Sequence, residues 1–240
     1  DLHHSSHSFP TRRSSDLSHA KKTGNFPFEP GMGPNYITMD DGYDDDFAIV
    51  WIQYMKNTGR FRVFQGYRNN HMVTDFYGSL LRGVPEDQFG YSYGKLERKI
   101  MARQQELPPA TYTVDTHFDN VEQMTGSSPY ERFAEKYGIV AHMSFDKQRR
   151  EFLPRRNKLG QLLPLMDFDD EASEVLEAVQ KYRFKENRDG QDQMSEYKKP
   201  MHSRDSHYVT ALEWFAVNWD ELNFTSGSNN WVYTSRPNNE

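Results

Sequence analysis

Residues 36–67 read YITMDDGYDDDFAIVWIQYMKNTGRFRVFQGY, and this stretch contains three strand patterns in succession. Residues 36–39 form a short apolar pattern, residues 47–54 are almost continuously apolar, and residues 60–67 alternate between polar and apolar side chains. A continuous apolar run is typical of a strand covered on both faces, whereas alternation with period two is typical of a half-buried strand. The turn-forming residues 57–59 (NTG) favour a hairpin between the second and third strands.

The chain after these strands alternates between helix and strand patterns. Helices are predicted between Thr74 and Gly83, over residues 95–106, from Ser128 to Gly138, over residues 170–183, over residues 205–219, and within the basic residues 147–163 with an interruption at Pro154. Further strands are predicted at residues 111–118 and 139–143. This is the chain order of a ribonuclease H-like α/β domain. The predicted fold is a mixed sheet, with three antiparallel strands and then parallel strands, flanked by helices.

The two ends of the chain do not carry fold patterns. Residues 7–17 (HSFPTRRSSDL) resemble an in-frame translation of a sequencing-library adapter, so residues 1–17 are expected to be artefactual and to pack against nothing. Residues 18–34, rich in Gly and Pro, are expected to be a linker. Residues 35–222 then form one domain, and the Asn-, Ser- and Gly-rich residues 223–240 are expected to be a loose tail.

Composition excludes several classes of protein. The chain has a net charge of −6, a mean hydropathy of −0.93 and no cysteine. It therefore has no disulfide, no thiolate zinc site and no cysteine nucleophile, which fits a reducing cytoplasm. No window approaches 18 consecutive apolar residues, so no membrane span is predicted. Net acidity speaks against a protein that coats nucleic acid generally, although a local basic surface would still bind DNA.

Asp40 and Asp119 are the first candidates for catalysis, because each ends a predicted strand, where open α/β sheets place their chemistry. Asp40 is followed by Asp41, Gly42 and the acidic residues 44–46. Hard cations such as Mg²⁺ and Mn²⁺ take oxygen ligands, usually one or two carboxylates completed by water and substrate phosphate. Two carboxylates at adjacent strand ends can hold two ions about 4 Å apart against one phosphodiester. A solvated acidic turn is the alternative interpretation.

Asp115 competes with Asp119 for the second carboxylate position. The two residues are four apart, so they share one face of the predicted strand at residues 111–118. Asp119 is favoured because it lies nearer the carboxyl end of that strand. A helix cap or a turn residue is the alternative interpretation of Asp119.

Three blocks of sequence resemble the nuclease domain of phage terminase large subunits, a ribonuclease H-like family. In residues 36–51 an apolar strand ends at Asp40, and an acidic loop leads to a second apolar strand. Residues 117–139 contain Asp119 and a helix that ends in Tyr-Gly-Ile, and residues 182–214 resemble the closing segment of the family. The resemblance implies an endonuclease that cuts concatemeric viral DNA during genome packaging, with Asp40 and Asp119 as ligands of two Mg²⁺ or Mn²⁺ ions.

The third metal ligand of the family falls where this sequence departs from the family's pattern. The family has an Asp just before an Ala-Leu dipeptide, and this chain has Thr210, whose hydroxyl is a poorer ligand than a carboxylate. Asp205 is the candidate for the third catalytic and metal-binding acid, although an ordinary helix N-cap is the competing interpretation. His207 and Glu213 share a helix face with Thr210 and are the next candidates. The departure leaves open whether the nuclease is active.

One basic stretch stands out in an otherwise acidic protein and is predicted to contact DNA phosphates. It contains Lys147, Arg149, Arg150, Arg155, Arg156 and Lys158. A solvated helix face is an equally acceptable interpretation. The Gly-rich residues 31–33 are not a phosphate loop, because no Gly-Lys-Ser/Thr follows them. The ATPase that the family carries upstream is therefore expected to have been lost by truncation.

The function predicted from these observations is that of the metal-dependent nuclease domain of a packaging terminase. The resemblance implies double-stranded viral DNA, a portal protein, a small terminase subunit and an upstream ATPase domain as partners, and the host cell cytoplasm as location. A different ribonuclease H-like enzyme, such as a resolvase or transposase, is one alternative. A non-catalytic module that grips DNA or the portal is another.

Overall fold

The computed structural model describes residues 23–42, 45–85, 90–121, 126–144, 148, 151–182 and 206–225, without the side chains at 220, 221 and 223–225. Its strands are β1 (Asn35–Asp40), β2 (Phe47–Met55), β3 (Arg60–Asn69), β4 (Ala110–Thr113), β5 (Ala141–His142) and β6 (Met166–Phe168). Its helices are α1 (Thr74–Arg82), α2 (Lys95–Glu106), α3 (Pro129–Tyr137), α4 (Phe152–Leu162), α5 (Ser173–Lys181) and α6 (Ser206–Thr225). None of these helices is long and apolar enough to cross a membrane.

The six described strands form one mixed sheet in the order β5-β4-β1-β2-β3-β6. β1, β2 and β3 are antiparallel neighbours, whereas β4 is parallel to β1, β5 to β4 and β6 to β3. The predicted fold class, three antiparallel strands followed by parallel strands and flanked by helices, is confirmed. The continuously apolar β2 lies inside the sheet and is buried on both faces, as its composition predicts.

Two hydrophobic cores lie on opposite faces of the sheet, and successive side chains of β1 point to one core and the other in turn. Tyr36 belongs to the core shared with α4, α5 and α6. Ile37 and Met39 belong to the core shared with α1, α2 and α3. Even-numbered side chains of β1 therefore point to the layer that contains α6, and this parity decides where Asp40 points.

Local signals predict the boundaries of two helices. The N-terminal signal of α3 is a capping box, in which the Ser128 hydroxyl accepts from Glu131 N–H at 3.1 Å and the Glu131 carboxylate accepts from Ser128 N–H at 3.0 Å. Gly138 ends α3 in the left-handed conformation, at φ 63°. The predicted α2 is found at the same bounds.

Two predictions about secondary structure are wrong, and one strand was not predicted. The predicted strand at residues 111–118 ends at Thr113, and a 3₁₀ turn occupies Thr116–Asp119. Pro154 does not interrupt α4, because it lies in the first turn, where a backbone N–H has no helical acceptor to lose. β6, with three residues, is too short to show a periodic pattern and has no counterpart among the predicted strands.

Residues 24–34, predicted to be part of a linker, bind to the sheet. Gly24 forms a parallel bridge with Asp169, and Phe26 N–H donates to the Asp169 carboxylate at 2.8 Å. Glu29 and Gln53 exchange two hydrogen bonds, at 2.9 and 2.6 Å. This segment is thus part of the folded unit. The adapter-like residues 1–17 lie outside the described residues.

Candidate active site

The carboxyl end of β1 meets the first turn of α6. The Thr38 hydroxyl donates to the Ala211 carbonyl of α6 at 2.6 Å. Two residues further along β1, Asp40 Oδ2 lies 2.8 Å from His207 Nδ1, four residues earlier on α6. A two-residue step on a strand and a four-residue step on a helix both cover about 6 Å, so the two elements keep contact while running in opposite directions. Asp40 and His207 are 9% and 7% exposed.

Asp115 is the second carboxylate that the sheet brings to this end. β4 is parallel to β1, with Thr113 opposite Thr38. The backbone stays extended beyond Thr113, because Val114 N–H donates to the His142 carbonyl of β5 at 3.1 Å and Asp115 has φ −72° and ψ 158°. Continuing the register by two residues therefore places Asp115 level with Asp40, and the same parity points both side chains to one face. Asp115 is 9% exposed, and its Oδ2 lies 3.3 Å from His117 Nδ1.

Asp119 does not end a strand, and the argument that favoured it over Asp115 is therefore wrong. The chain leaves the sheet after Asp115 and turns through the 3₁₀ helix Thr116–Asp119, which takes Asp119 to the start of α3. There its Oδ1 accepts a long hydrogen bond of 3.4 Å from the Ser128 hydroxyl. The structure thus groups Asp115, rather than Asp119, with Asp40.

Burial and neighbouring charges raise the pKa values of Asp40 and Asp41. Burial, together with the charges of Asp40 and Asp115, raises the pKa of Asp41 to about 6. Burial also raises the pKa of Asp40, against the hydrogen bond and the charge of His207. Burial lowers the pKa of His207, but its contact with Asp40 outweighs that effect and leaves the net pKa above the ordinary value. The site concentrates negative charge that a cation would stabilise.

The other candidates on α6 have different surroundings. The Thr210 hydroxyl donates to the Ser206 carbonyl one helical turn earlier, at 3.0 Å. Glu213 is 1% exposed and lies 3.8 Å from Arg155 Nε and 3.7 Å from an Arg156 nitrogen. Of the described candidates for the third ligand, His207 is the one in contact with Asp40. Asp205 lies outside the described residues, and its role stays a prediction.

The described residues of the basic stretch, Arg155, Arg156 and Lys158, differ in their exposure. Arg156 is 7% exposed and lies over the Tyr182 ring at 4.3 Å, and its contact with DNA stays a prediction. Arg155 lies over the Trp214 ring at 4.3 Å with part of its side chain exposed. Lys158 is partly exposed. Lys147, Arg149 and Arg150 lie outside the described residues.

Asp40, Asp115 and His207 provide only the smallest set of protein ligands that a hard divalent cation takes. Two carboxylates at neighbouring strand ends, Asp40 and Asp115, match the one or two that such a cation takes before water and phosphate complete its shell. His207 adds one nitrogen next to Asp40. Within the described ranges, no three acidic or histidine side chains are grouped closely enough to ligate one ion. Substrate and water oxygens would have to complete the coordination.

Solved structures similar to this fold include the nuclease domains of two large terminases. The P22 large terminase nuclease domain has a TM-score of 0.57 at 12% identity, over 85% of this chain and 92% of that chain. The nuclease domain of the SPP1 large terminase, solved with bound Mn, has a TM-score of 0.52 at 11% identity, over 82% and 96%. The fold is that of the large-terminase nuclease domains.

A longer large terminase shows how much of such a protein this chain spans. The large terminase of a thermophilic bacteriophage has a TM-score of 0.54 at 13% identity and matches 85% of this chain. The chain covers 44% of that protein. No protein-family model and no curated protein sequence matches the chain. The likeness to large terminases therefore establishes the fold, and any function rests on the site.

The sequence contains a signal that could have identified Asp115, because the same three-residue motif occurs at the ends of β1 and β4. Thr38-Met39-Asp40 and Thr113-Val114-Asp115 are both Thr-apolar-Asp, and the two threonines lie opposite each other in the sheet. Comparing the two strand ends would have favoured Asp115 over Asp119. No local signal predicts that His207 contacts Asp40, because the two residues are 167 positions apart in the chain.

Proposed function

We propose that this chain is the metal-dependent DNA endonuclease domain of a viral genome-packaging terminase. The observation that carries the proposal is the pair of buried carboxylates, Asp40 and Asp115, at the ends of two neighbouring strands. His207 contacts the Asp40 carboxylate. The likeness to the P22 and SPP1 nuclease domains supports it, and the SPP1 domain was solved with Mn. The substrate in this proposal is concatemeric double-stranded viral DNA.

Asp40 and Asp115 would hold divalent cations, Mg²⁺ or Mn²⁺, at this end of the sheet. Two such ions, when bound, supply the charge that activates a water for in-line attack on phosphorus and stabilises the leaving 3′ oxygen. His207 holds the Asp40 carboxylate in one orientation through its 2.8 Å contact. Burial of both carboxylates excludes bulk water and strengthens their attraction for a cation.

Cleavage of supercoiled plasmid with Mn²⁺, with Mg²⁺ and with EDTA tests the proposal. The parent should nick and linearise the plasmid with a divalent cation and leave it intact with EDTA. Asp40→Asn should abolish cleavage, because Asn keeps the volume and removes the charge that binds a hard cation. Asp170→Asn is the matched control, since Asp170 is an exposed acid beyond β6, the last strand on the β3 side of the sheet.

The proposal fails if Asp40→Asn cleaves as fast as the parent, or if cleavage continues in EDTA. A circular dichroism melt of each variant separates loss of the site from loss of the fold. A calorimetric titration of Mn²⁺ into the parent and Asp40→Asn proteins measures the ligand role without relying on cleavage.

A non-catalytic module that grips DNA within the packaging motor is the second candidate function. It is favoured by one observation: the described residues do not group three acidic or histidine side chains around one point. On this alternative the parent binds a DNA duplex but leaves the plasmid intact with every cation. The same assay therefore distinguishes the two functions.

A further inference from the structure

A cluster of charged and aromatic side chains lies between α4 and α6, beside the carboxylate site. Glu213, 1% exposed, lies between the guanidinium groups of Arg155 and Arg156, at 3.8 and 3.7 Å. Burial raises the pKa of Glu213 to about 7, although both arginines oppose that rise. Two guanidinium groups share one carboxylate, so the cluster has an excess of positive charge.

The two arginines of the cluster differ in their surroundings. The side chain of Arg156 is 7% exposed, and its guanidinium lies over the ring of Tyr182. The side chain of Arg155 is 16% exposed, and its guanidinium lies over the ring of Trp214 at 4.3 Å. Stacking on an aromatic ring fixes the plane of a guanidinium while leaving its N–H groups available for other contacts. Arg155 is therefore the more accessible of two oriented cations.

Arg155 pairs with Glu213 of α6, and the first turn of the same helix contacts Asp40 through His207. The hydrogen-bonded partner of Asp40 among the described residues is His207. Arg155 Nε is buried and makes no hydrogen bond within the described part of the chain, and its distance to Glu213 exceeds that of a hydrogen bond. The guanidinium thus has an unused donor next to α6, the helix that contacts Asp40.

We propose that Arg155 is a catalytic residue that donates hydrogen bonds to the non-bridging oxygens of the scissile phosphate. A guanidinium matches a phosphate with two parallel N–H donors, and it offsets charge that the neighbouring carboxylates would otherwise repel. Arg156, enclosed by Glu213 and Tyr182, has a structural role in the same cluster. This inference rests on the proposed nuclease function and adds a cationic residue to its acidic site.

Single-turnover cleavage, measured with the protein in excess over plasmid and with Mn²⁺, tests the role of Arg155. Arg155→Gln should lower the first-order rate by about 100-fold, the loss typical when one preorganised donor to a transition state is removed. Arg155→Lys should lower it by about tenfold, since an ammonium keeps the charge but lacks the two-donor geometry. The Kd for a DNA duplex, measured by fluorescence anisotropy without divalent cation, should stay within about threefold, as expected when one of many phosphate contacts is lost.

Two further controls are rescue of Arg155→Ala by added guanidinium and a substitution of the neighbouring Arg156. Millimolar guanidinium should restore part of the rate of Arg155→Ala but none of the rate of Asp40→Asn. Arg156→Lys should lower the thermal midpoint while the rate of the folded protein stays near that of the parent.

Three outcomes overturn the inference. A parent that cleaves while both Arg155→Gln and Arg155→Lys cleave equally fast overturns it and leaves the proposed function standing. A fall in rate matched by an equal loss of DNA affinity also overturns it, because Arg155 would then be a general DNA contact. A parent that cleaves with no cation overturns the proposed function and this inference together.

Discussion

The roles proposed for Asp40 and Asp115 depend on where the fold places them, because each is an ordinary acidic residue in its local sequence. Both follow a Thr-apolar pair at the end of a strand, and the parallel register of β1 and β4 brings them level. The chain then turns away from the sheet at Thr116, so that Asp119 lies at the start of α3. Asp115 thus belongs to the candidate site, whereas Asp119, four residues later, lies at the start of a helix.

The contrast between these two acids gives a prediction at the residue scale. Asp115→Asn should lower Mn²⁺-dependent plasmid cleavage at least about 100-fold, by loss of a ligand charge. Asp119→Asn should keep most of the activity and lower stability by less than about 1 kcal/mol, because it weakens one long hydrogen bond. Cleavage rates and urea denaturation of both variants check this. Strong loss of activity in Asp119→Asn with Asp115→Asn unaffected would restore the assignment made from the sequence.

The helices α1 and α3 are joined by a polar contact inside an apolar layer. Asp75, 2% exposed in the first turn of α1, accepts hydrogen bonds from Tyr137 at 2.8 Å and Lys136 at 3.0 Å, and it pairs with Arg132. Burial raises the pKa of Asp75, but these three donors outweigh burial and leave the pKa below its ordinary value. One carboxylate therefore aligns two helices on the face of the sheet opposite α6.

Replacing this carboxylate tests its contribution at the element scale. Asp75→Asn should destabilise the protein by about 2 kcal/mol at pH 7, less than for a fully buried ion pair because Arg132 and Lys136 are partly exposed. Since the folded pKa is lowered, the contribution is complete above the ordinary aspartate pKa of about 4 and is lost as the pH falls through the folded pKa. The parent and the variant should therefore converge in acid.

Chemical denaturation at pH 7 and at successively lower pH measures this difference. Glu177→Gln is a suitable control, because it breaks an exposed pair with Lys181 and should change the free energy of unfolding by less than about 0.5 kcal/mol. A gap between parent and Asp75→Asn that widened in acid would contradict the assigned sign of the pKa shift.

At the scale of the whole molecule, the sheet binds a segment that looks like a linker in the sequence. Residues 24–29 bind β6 through Gly24 and Phe26, and they bind β2 through the two hydrogen bonds between Glu29 and Gln53. Gln53 itself has no exposed surface. The segment therefore satisfies buried polar groups that would otherwise lack partners.

Two deletions compare this segment with the adapter-like residues before it. Removing residues 1–17 should leave the thermal midpoint unchanged within error. Removing residues 1–29 should cost about 3 kcal/mol, from several hydrogen bonds of about 1 kcal/mol each, and lower the midpoint by about 6–12 °C. Differential scanning calorimetry of the three proteins measures both effects. Equal midpoints for the two deletions would show that the segment contributes no stability.

Local sequence is sufficient to predict much of this fold, because its signals act over a few residues. The apolar run of β2, the alternation in β3 and the capping box of α3 each depend on near neighbours, and all three were predictable. The same holds for Asp40, which directly ends an apolar strand. The boundary of β4 was not predictable, because β-branched and aromatic residues continue past Thr113 although the strand ends there.

The contacts that complete the site join residues far apart in the chain. The packing of α6 on β1 brings His207 to Asp40, and the register of β4 with β1 brings Asp115 level with Asp40. The packing of α4 on α6 brings Arg156 next to Glu213 and Tyr182, which its local sequence does not indicate. Helix and strand patterns specify which face is apolar but not which polar residues of two distant elements meet. That choice follows from register and packing, which exist only in the folded chain.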